Sequence, residues 1–266
     1  MIRTLSASAA RPLLFCALCA PPALGHVTLL EPNGGNQLQV GSITTIRWQN
    51  TIPHQLVDWD LQYSTNGSQG PWVELAVDLQ LGSNQLGEIL TYDWVVPQDL
   101  SSTVRVRVRQ DNVGMDYYDA SDSDLAIVSG LGTSYCGPAV ANSSGAPAQL
   151  FVWGSSTVAD QDLHLTAIGL PVNEYGYFLH APDAALVVAP GGAAGNLCLG
   201  GGVGRHLNSL TNSGPEGLLS GELDLSAWPR PSGPIAVQPG ETWRLQAWFR
   251  DGASSNFTDA VELAFD

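Results

Sequence analysis

STVRVRVRQ, Ser102–Gln110, alternates apolar and charged residues without a break. A period of two sends successive side chains to opposite faces of a strand, so Val104, Val106 and Val108 share one face and Arg105, Arg107 and Arg109 the other. One buried and one polar face is the mark of an antiparallel sheet packed against a core on one side. VDWDLQYS, Val57–Ser64, has the same rhythm. It predicts Val57, Trp59, Leu61 and Tyr63 inward and Asp58, Asp60 and Gln62 outward. If the two strands are neighbours, Asp58 and Asp60 can pair with the arginines across the ladder. That makes the arginine stripe a neutralised sheet face and leaves Trp48 and Trp59 to the core.

The pattern extends in both directions as short alternating runs cut by Gly, Pro, Asn and Ser. His26–Leu30, Gln37–Val40, Thr44–Asn50, Leu56–Ser64, Trp72–Asp78, Ile89–Val96, Ser102–Gln110 and Asp122–Val128 read as strands. Pro32-Asn33-Gly34-Gly35, Asn66-Gly67 and Asn112-Val113-Gly114 supply turn chemistry between them. So many short strands in about a hundred residues predict an immunoglobulin-like sandwich over residues 26–128. Ser129–Ser134 reads as a linker. Residues 135–266 again read as all-β, in a second sandwich ending in ETWRLQAWFRD and NFTDAVELAF. There Trp243, Leu245, Ala247 and Phe249 alternate with polar or larger partners. The glycine-rich Ala189–Gly204 reads as a long ordered loop tied down by Cys198. The fold class expected is therefore all-β, two sandwich domains.

Residues 1–25 read as a secretory signal peptide. Arg3 and Arg11 precede a short apolar run, and Ala23 and Gly25 are the small residues before the cut. Cys16 and Cys19 lie in this segment, and no later stretch reads as transmembrane. Cleavage after Gly25 leaves eight arginines, no lysine and 25 acidic residues, a formal net charge of −17. Such a surface repels phosphate backbones, so a nucleic-acid partner is excluded. Secretion, to the cell surface or the periplasm, also means an oxidising compartment, in which Cys136 and Cys198 form a disulfide. His164, His180 and His206 lack metal-ligand spacing and read as loop or surface residues. Trp228, Trp248, Tyr175 and Tyr177 either pack in the core or form a platform for sugar rings. No nucleophile elbow, phosphate loop or H-E-x-x-H motif is present.

The cut makes His26 the first residue. In an immunoglobulin-like sandwich the start of the first strand, the B–C loop and the F–G turn share one pole. The B–C loop, NTIPHQ, carries His54; the F–G turn, RQDNVGMDYYDASD, carries Asp111, Asp116, Tyr117, Tyr118 and Asp119. An N-terminal histidine offers an α-amine and an imidazole to one ion, and a second imidazole completes a T-shaped set of three nitrogens. Nitrogen donors in a tetragonal arrangement suit Cu(II), and an amine that loses its proton near pH 8 is available at neutral pH. This arrangement resembles the histidine brace of lytic polysaccharide monooxygenases and of CopC-type copper-resistance carriers. The resemblance implies His26 as bidentate ligand and His54 as second imidazole. It adds Asp119 or Asp116 as acidic partner and Tyr117 or Tyr118 as axial group. The domain is shorter than the monooxygenases and closer in size to the carriers.

A second resemblance covers Val27–Val128. LLEPNGGNQLQVGSITTIRWQN, WDLQYSTNGSQGPWVELA and YDWVVP are similar to the N-terminal module of fungal cell-wall-synthesis proteins linked to β-1,6-glucan assembly. It implies an extracellular immunoglobulin-like module and a polysaccharide or cell-wall partner. The expected function is extracytoplasmic copper binding. A copper-dependent oxidoreductase and a metal-free adhesion or glycan-binding module are the alternatives.

Overall fold

The computed structural model describes residues 25–230 and 232–266. The segment read as a signal peptide, with Cys16 and Cys19, lies outside the described residues except for Gly25. Among the described residues, regular structure is strand broken by three one-turn 3-10 helices, so the chain is all-β. No helix among them is long and apolar enough to cross a membrane.

The first half contains β1 (Val27–Glu31), β2 (Gln37–Gln39), β3 (Ile43–Asn50), β4 (Leu56–Ser64), β5 (Val73–Leu79), β6 (Ile89–Val95), β7 (Ser101–Asn112), β8 (Tyr117–Ala120) and β9 (Leu125–Val128). One sheet has the order β1-β3-β6; the other runs β2-β9-β7-β4-β5, with β8 paired to β7. β2 joins parallel to β9, whereas β4–β7 and β3–β6 are antiparallel. This is the two-sheet order of an immunoglobulin-like sandwich. Val104, Val106 and Val108 are fully buried between the sheets, with Trp48 and Trp59 at their centre, ring centroids 5.8 Å apart.

The arginine face is neutralised largely as the alternation predicts. Asp60 faces Arg109 across the ladder and bonds Nη1 at 2.7 Å; Arg107 Nε reaches Gln62 at 2.6 Å; Arg105 Nε reaches Asp124 at 2.6 Å. Three details differ from the sequence reading. A bulge between Leu56 and Asp58 shifts the register at the strand's start, leaving Val57 exposed. Asp58 and Asp60 lie on the outward, arginine-bearing face as read but are buried there, and among the described residues Asp58 has no arginine partner, since Asp111 stands opposite it. Tyr117–Ala120, read as part of a turn, is strand β8, pairing with Arg107–Gln110.

The second half contains β10 (Thr133–Tyr135), β11 (Gln149–Gly154), β12 (Leu163–Ile168), β13 (Tyr175–Ala181), β14 (Asp183–Val188), β15 (Asn196–Gly200), β16 (Gly204–Asn212), β17 (Leu219–Glu222), β18 (Thr242–Asp251) and β19 (Ser254–Ala264). The sheet β10-β19-β18-β13-β16 packs against β11-β12-β17 over Leu150, Leu165, Phe178, Leu245 and Phe249. The ribbon β14–β15 covers the other face of the larger sheet, burying Leu199 beside Leu179 and Phe257. The glycine-rich segment is thus not all loop: Asn196–Gly200 is a strand, because Leu197 and Leu199 pack against this second small core. The Cys136–Cys198 disulfide fastens the ribbon to the beginning of the half. Thr133 and Ser134, read as linker, already belong to β10. The halves meet where Gln39 and Gly154 exchange two hydrogen bonds, side chain to backbone, at 3.1 and 2.6 Å.

Candidate functional site

His26 is fixed by its backbone. Its carbonyl accepts from the Thr51 and Ile52 amides at 3.1 and 3.0 Å, and the Thr51 hydroxyl donates to the Gly25 carbonyl. The start of β1 is therefore stitched to the loop after β3. That loop is itself held from within: the His54 carbonyl accepts from Asn84 Nδ2 at 2.8 Å, and Asn84 Oδ1 accepts from Asn50 at 2.9 Å. Gln110 Nε2, wholly buried, donates to the Ile52 carbonyl at 3.3 Å.

These contacts bring three rings together. The Tyr117 ring stacks on His26 at 3.7 Å and on His54 at 4.8 Å between centroids, and the two imidazoles are 4.8 Å apart and tilted by 49°. Two imidazoles bound to one ion through nitrogens at about 2 Å have centroids no more than about 6.5 Å apart. The observed spacing suits adjacent positions on an ion; the T-shaped set expected from sequence needs a side-chain rotation. His54 Nε2 is buried and has no hydrogen-bond partner among the described residues, a costly state for a polar atom unless something occupies it. Two imidazoles side by side are a donor pair that suits a nitrogen-loving ion.

The remaining residues expected here are engaged elsewhere. Strand alternation in β8 sends Tyr117 and Asp119 one way and Tyr118 the other. Tyr118 lies under the Arg107 guanidinium, 4.9 Å from its ring, so Tyr117, not Tyr118, is the tyrosine beside the histidines. Asp116 is taken by Arg109, accepting from Nε at 3.0 Å and Nη2 at 2.7 Å. Burial would raise the Asp116 carboxyl, but the bonds from Arg109 and the Asn112 amide outweigh it and hold the group below the usual range. Asp119 accepts from the Leu29 amide at 2.7 Å, clamping β8 to β1. Burial lifts its carboxyl above the usual range despite the Leu29 and Ala120 amides. Asp119→Ala leaves the Leu29 amide unpaired, and we expect a loss of about 1–3 kcal/mol in urea unfolding. A carboxylate whose purpose is to ligate metal would leave stability unchanged on removal.

The histidines of the second half also depart from expectation. His164 stacks on Trp153 at 4.1 Å and meets Asp162 at 2.8 Å. His180 and His206, read as surface residues, are buried and joined Nδ1 to Nε2 at 2.8 Å. Trp228 and Trp243 enclose His180 at 4.5 and 5.4 Å. Burial first, then the neighbouring His206, lowers His180 to about 3, and burial lowers His206 to about 4. The signal was present: His180 follows Phe178 by two in β13, on the inward face. Trp228 is core, while Tyr177 and Trp248 form a half-buried pair at 4.9 Å.

No protein-family model matches the chain, and a search of curated proteins finds no match.

Proposed function

We propose that the protein is an exported copper-binding protein. The α-amine and imidazole of His26 and the imidazole of His54 hold one Cu(II) after cleavage behind Gly25. The observation that carries this reading is the convergence of the only two histidines of the first half on Tyr117, with His54 Nε2 buried and unpaired. The Cys136–Cys198 disulfide supports an oxidising compartment. Bound copper would supply a redox-active Lewis acid at this pole. The chain's own contribution is to fix the amine and imidazole through the Thr51 and Ile52 amides and to stack Tyr117 beneath both rings.

The test is a Cu(II) titration of two secreted forms. One begins at His26, confirmed by mass spectrometry; the other carries one extra residue before it. The authentic form is expected to take one ion, with an axial EPR spectrum showing nitrogen coupling. Capping the amine or changing His54→Ala weakens binding by more than about 100-fold. Equal, weak binding by both forms ends the copper reading. Oxidised oligosaccharides appearing with reductant would instead make the protein a copper oxidoreductase.

A second reading, a metal-free glycan-binding module, is favoured by Tyr177 and Trp248, whose tilted rings border a hollow with Arg205. A polysaccharide or cell-wall partner fits that pair. Under this reading Trp248→Ala abolishes retention on insoluble glycan and Cu(II) has no effect.

A further inference from the structure

We propose a second metal site, for Ca2+, on the outer face of the β4–β7 pair, with Asp58, Asp60 and Asp111 as its protein ligands. It does not depend on the histidine pole being a copper site.

The β4–β7 register creates the juxtaposition. Asp58 lies directly opposite Asp111, and Asp60, two residues on, shares the face of Asp58 and lies opposite Arg109. Like charges directly opposite each other destabilise a sheet, and the bulge at Leu56/Asp58 is what forces this pair together. Arg109 neutralises one side. Its Nη1 meets Asp60 Oδ2 at 2.7 Å, and its Nη2 meets Asp116 at 2.7 Å and Asp111 Oδ2 at 3.3 Å. A single guanidinium therefore serves three carboxylates, and Asp58 is not among them.

An independent observation concerns Asp58 itself. It is 5% exposed, and its Oδ1 is buried with no hydrogen-bond partner among the described residues. A carboxylate oxygen removed from water without a donor is costly to bury. One oxygen from each of Asp58, Asp60 and Asp111 lies within 4.8 Å of the others. Ca2+ binds oxygen at 2.3–2.6 Å, so opposite ligands sit about 4.6–5.2 Å apart. The set is all oxygen, which disfavours copper and zinc. Three ligands in irregular array suit Ca2+ better than Mg2+, which demands a near-ideal octahedron. A hollow lined by Leu79, Gly82 and Asn84 opens beside Asp58.

The experiment is calorimetric titration of chelator-treated, full-length secreted protein with CaCl2 at neutral pH. One Ca2+ per chain is expected. Asp58→Asn, which keeps the shape and removes the charge, is expected to weaken binding by about 100-fold or more. Asp111→Asn serves as a second variant should Asp58→Asn fail to fold, as judged by circular dichroism. Glu31→Gln, on the opposite sheet, and His54→Ala should leave the titration unchanged. No uptake at Ca2+ up to about the millimolar range of extracellular sites overturns the proposal. Equal binding by wild type and both aspartate variants overturns it too, since the heat then comes from diffuse attraction to an acidic surface.

Discussion

Lowering the pH from 7 to 4 is expected to destabilise the second half of the chain strongly. The cause is the His180–His206 pair. In the unfolded chain each imidazole titrates near 6.5; in the fold, burial and mutual proximity bring them to about 3 and about 4. Between those values the unfolded state binds more protons than the folded one, so stability falls as pH falls. The full contribution is present above about pH 6.5 and is lost progressively towards pH 3. The loss at pH 4 is on the order of 3–6 kcal/mol for the pair, against a typical domain stability of about 5–15 kcal/mol. The Pro229 carbonyl beside His180 opposes the shift but makes no well-aligned hydrogen bond with Nε2. Asp259, whose carboxyl burial raises, works in the opposite sense and softens the loss. The pair sits against Trp228 and Trp243, so tryptophan emission reports the transition. His206→Asn removes one titrating ring and should make the acid limb shallower. An acid limb equally steep in that variant would assign it to carboxylates instead.

Removing the disulfide is the other large effect. Cys136 and Cys198 are separated by 62 positions, and in the chain-entropy account closing such a loop stabilises the fold by about 4 kcal/mol. The Cys136→Ala/Cys198→Ala double variant is expected to lose about that much in urea unfolding of the second half. The bond also locks the β14–β15 ribbon over Leu179 and Phe257. That ribbon has other anchors: Cys198 N donates to Gln246 Oε1 at 3.0 Å, and the Tyr135 hydroxyl donates to the Cys198 carbonyl at 2.9 Å. A loss below about 1 kcal/mol would mean that these contacts, not the tether, hold the ribbon.

Period-two alternation made the sheets legible. β4 spans the same residues in sequence and in space, and β7 differs only by running slightly longer, because in both strands one face is wholly apolar. Alternation fails where register slips, and so it misplaces Val57: a bulge is a pairing event that no single strand announces. β8 was hidden because Asp116 and Asp119 resemble turn formers until Arg109 and the Leu29 amide are known to receive them. The convergence of His26 and His54 at one pole followed from topology, but the choice between Tyr117 and Tyr118 needed the facing of β8. The buried imidazole pair was missed for a different reason. β13 and β16 are adjacent in the sheet, yet nothing local to either strand shows that they meet.

The Gln39–Gly154 clasp has a consequence for reach. It lies beside Val40 and Gly41, where Phe151 fills the space against Gly41, at the end of β3 remote from Asn50. The eight residues of β3 span about 25 Å, and His26 is stitched to the far end. The histidine pole and the clasp thus lie at opposite ends of β3. Anything that docks at the histidine pole therefore sits about one strand length from the clasp.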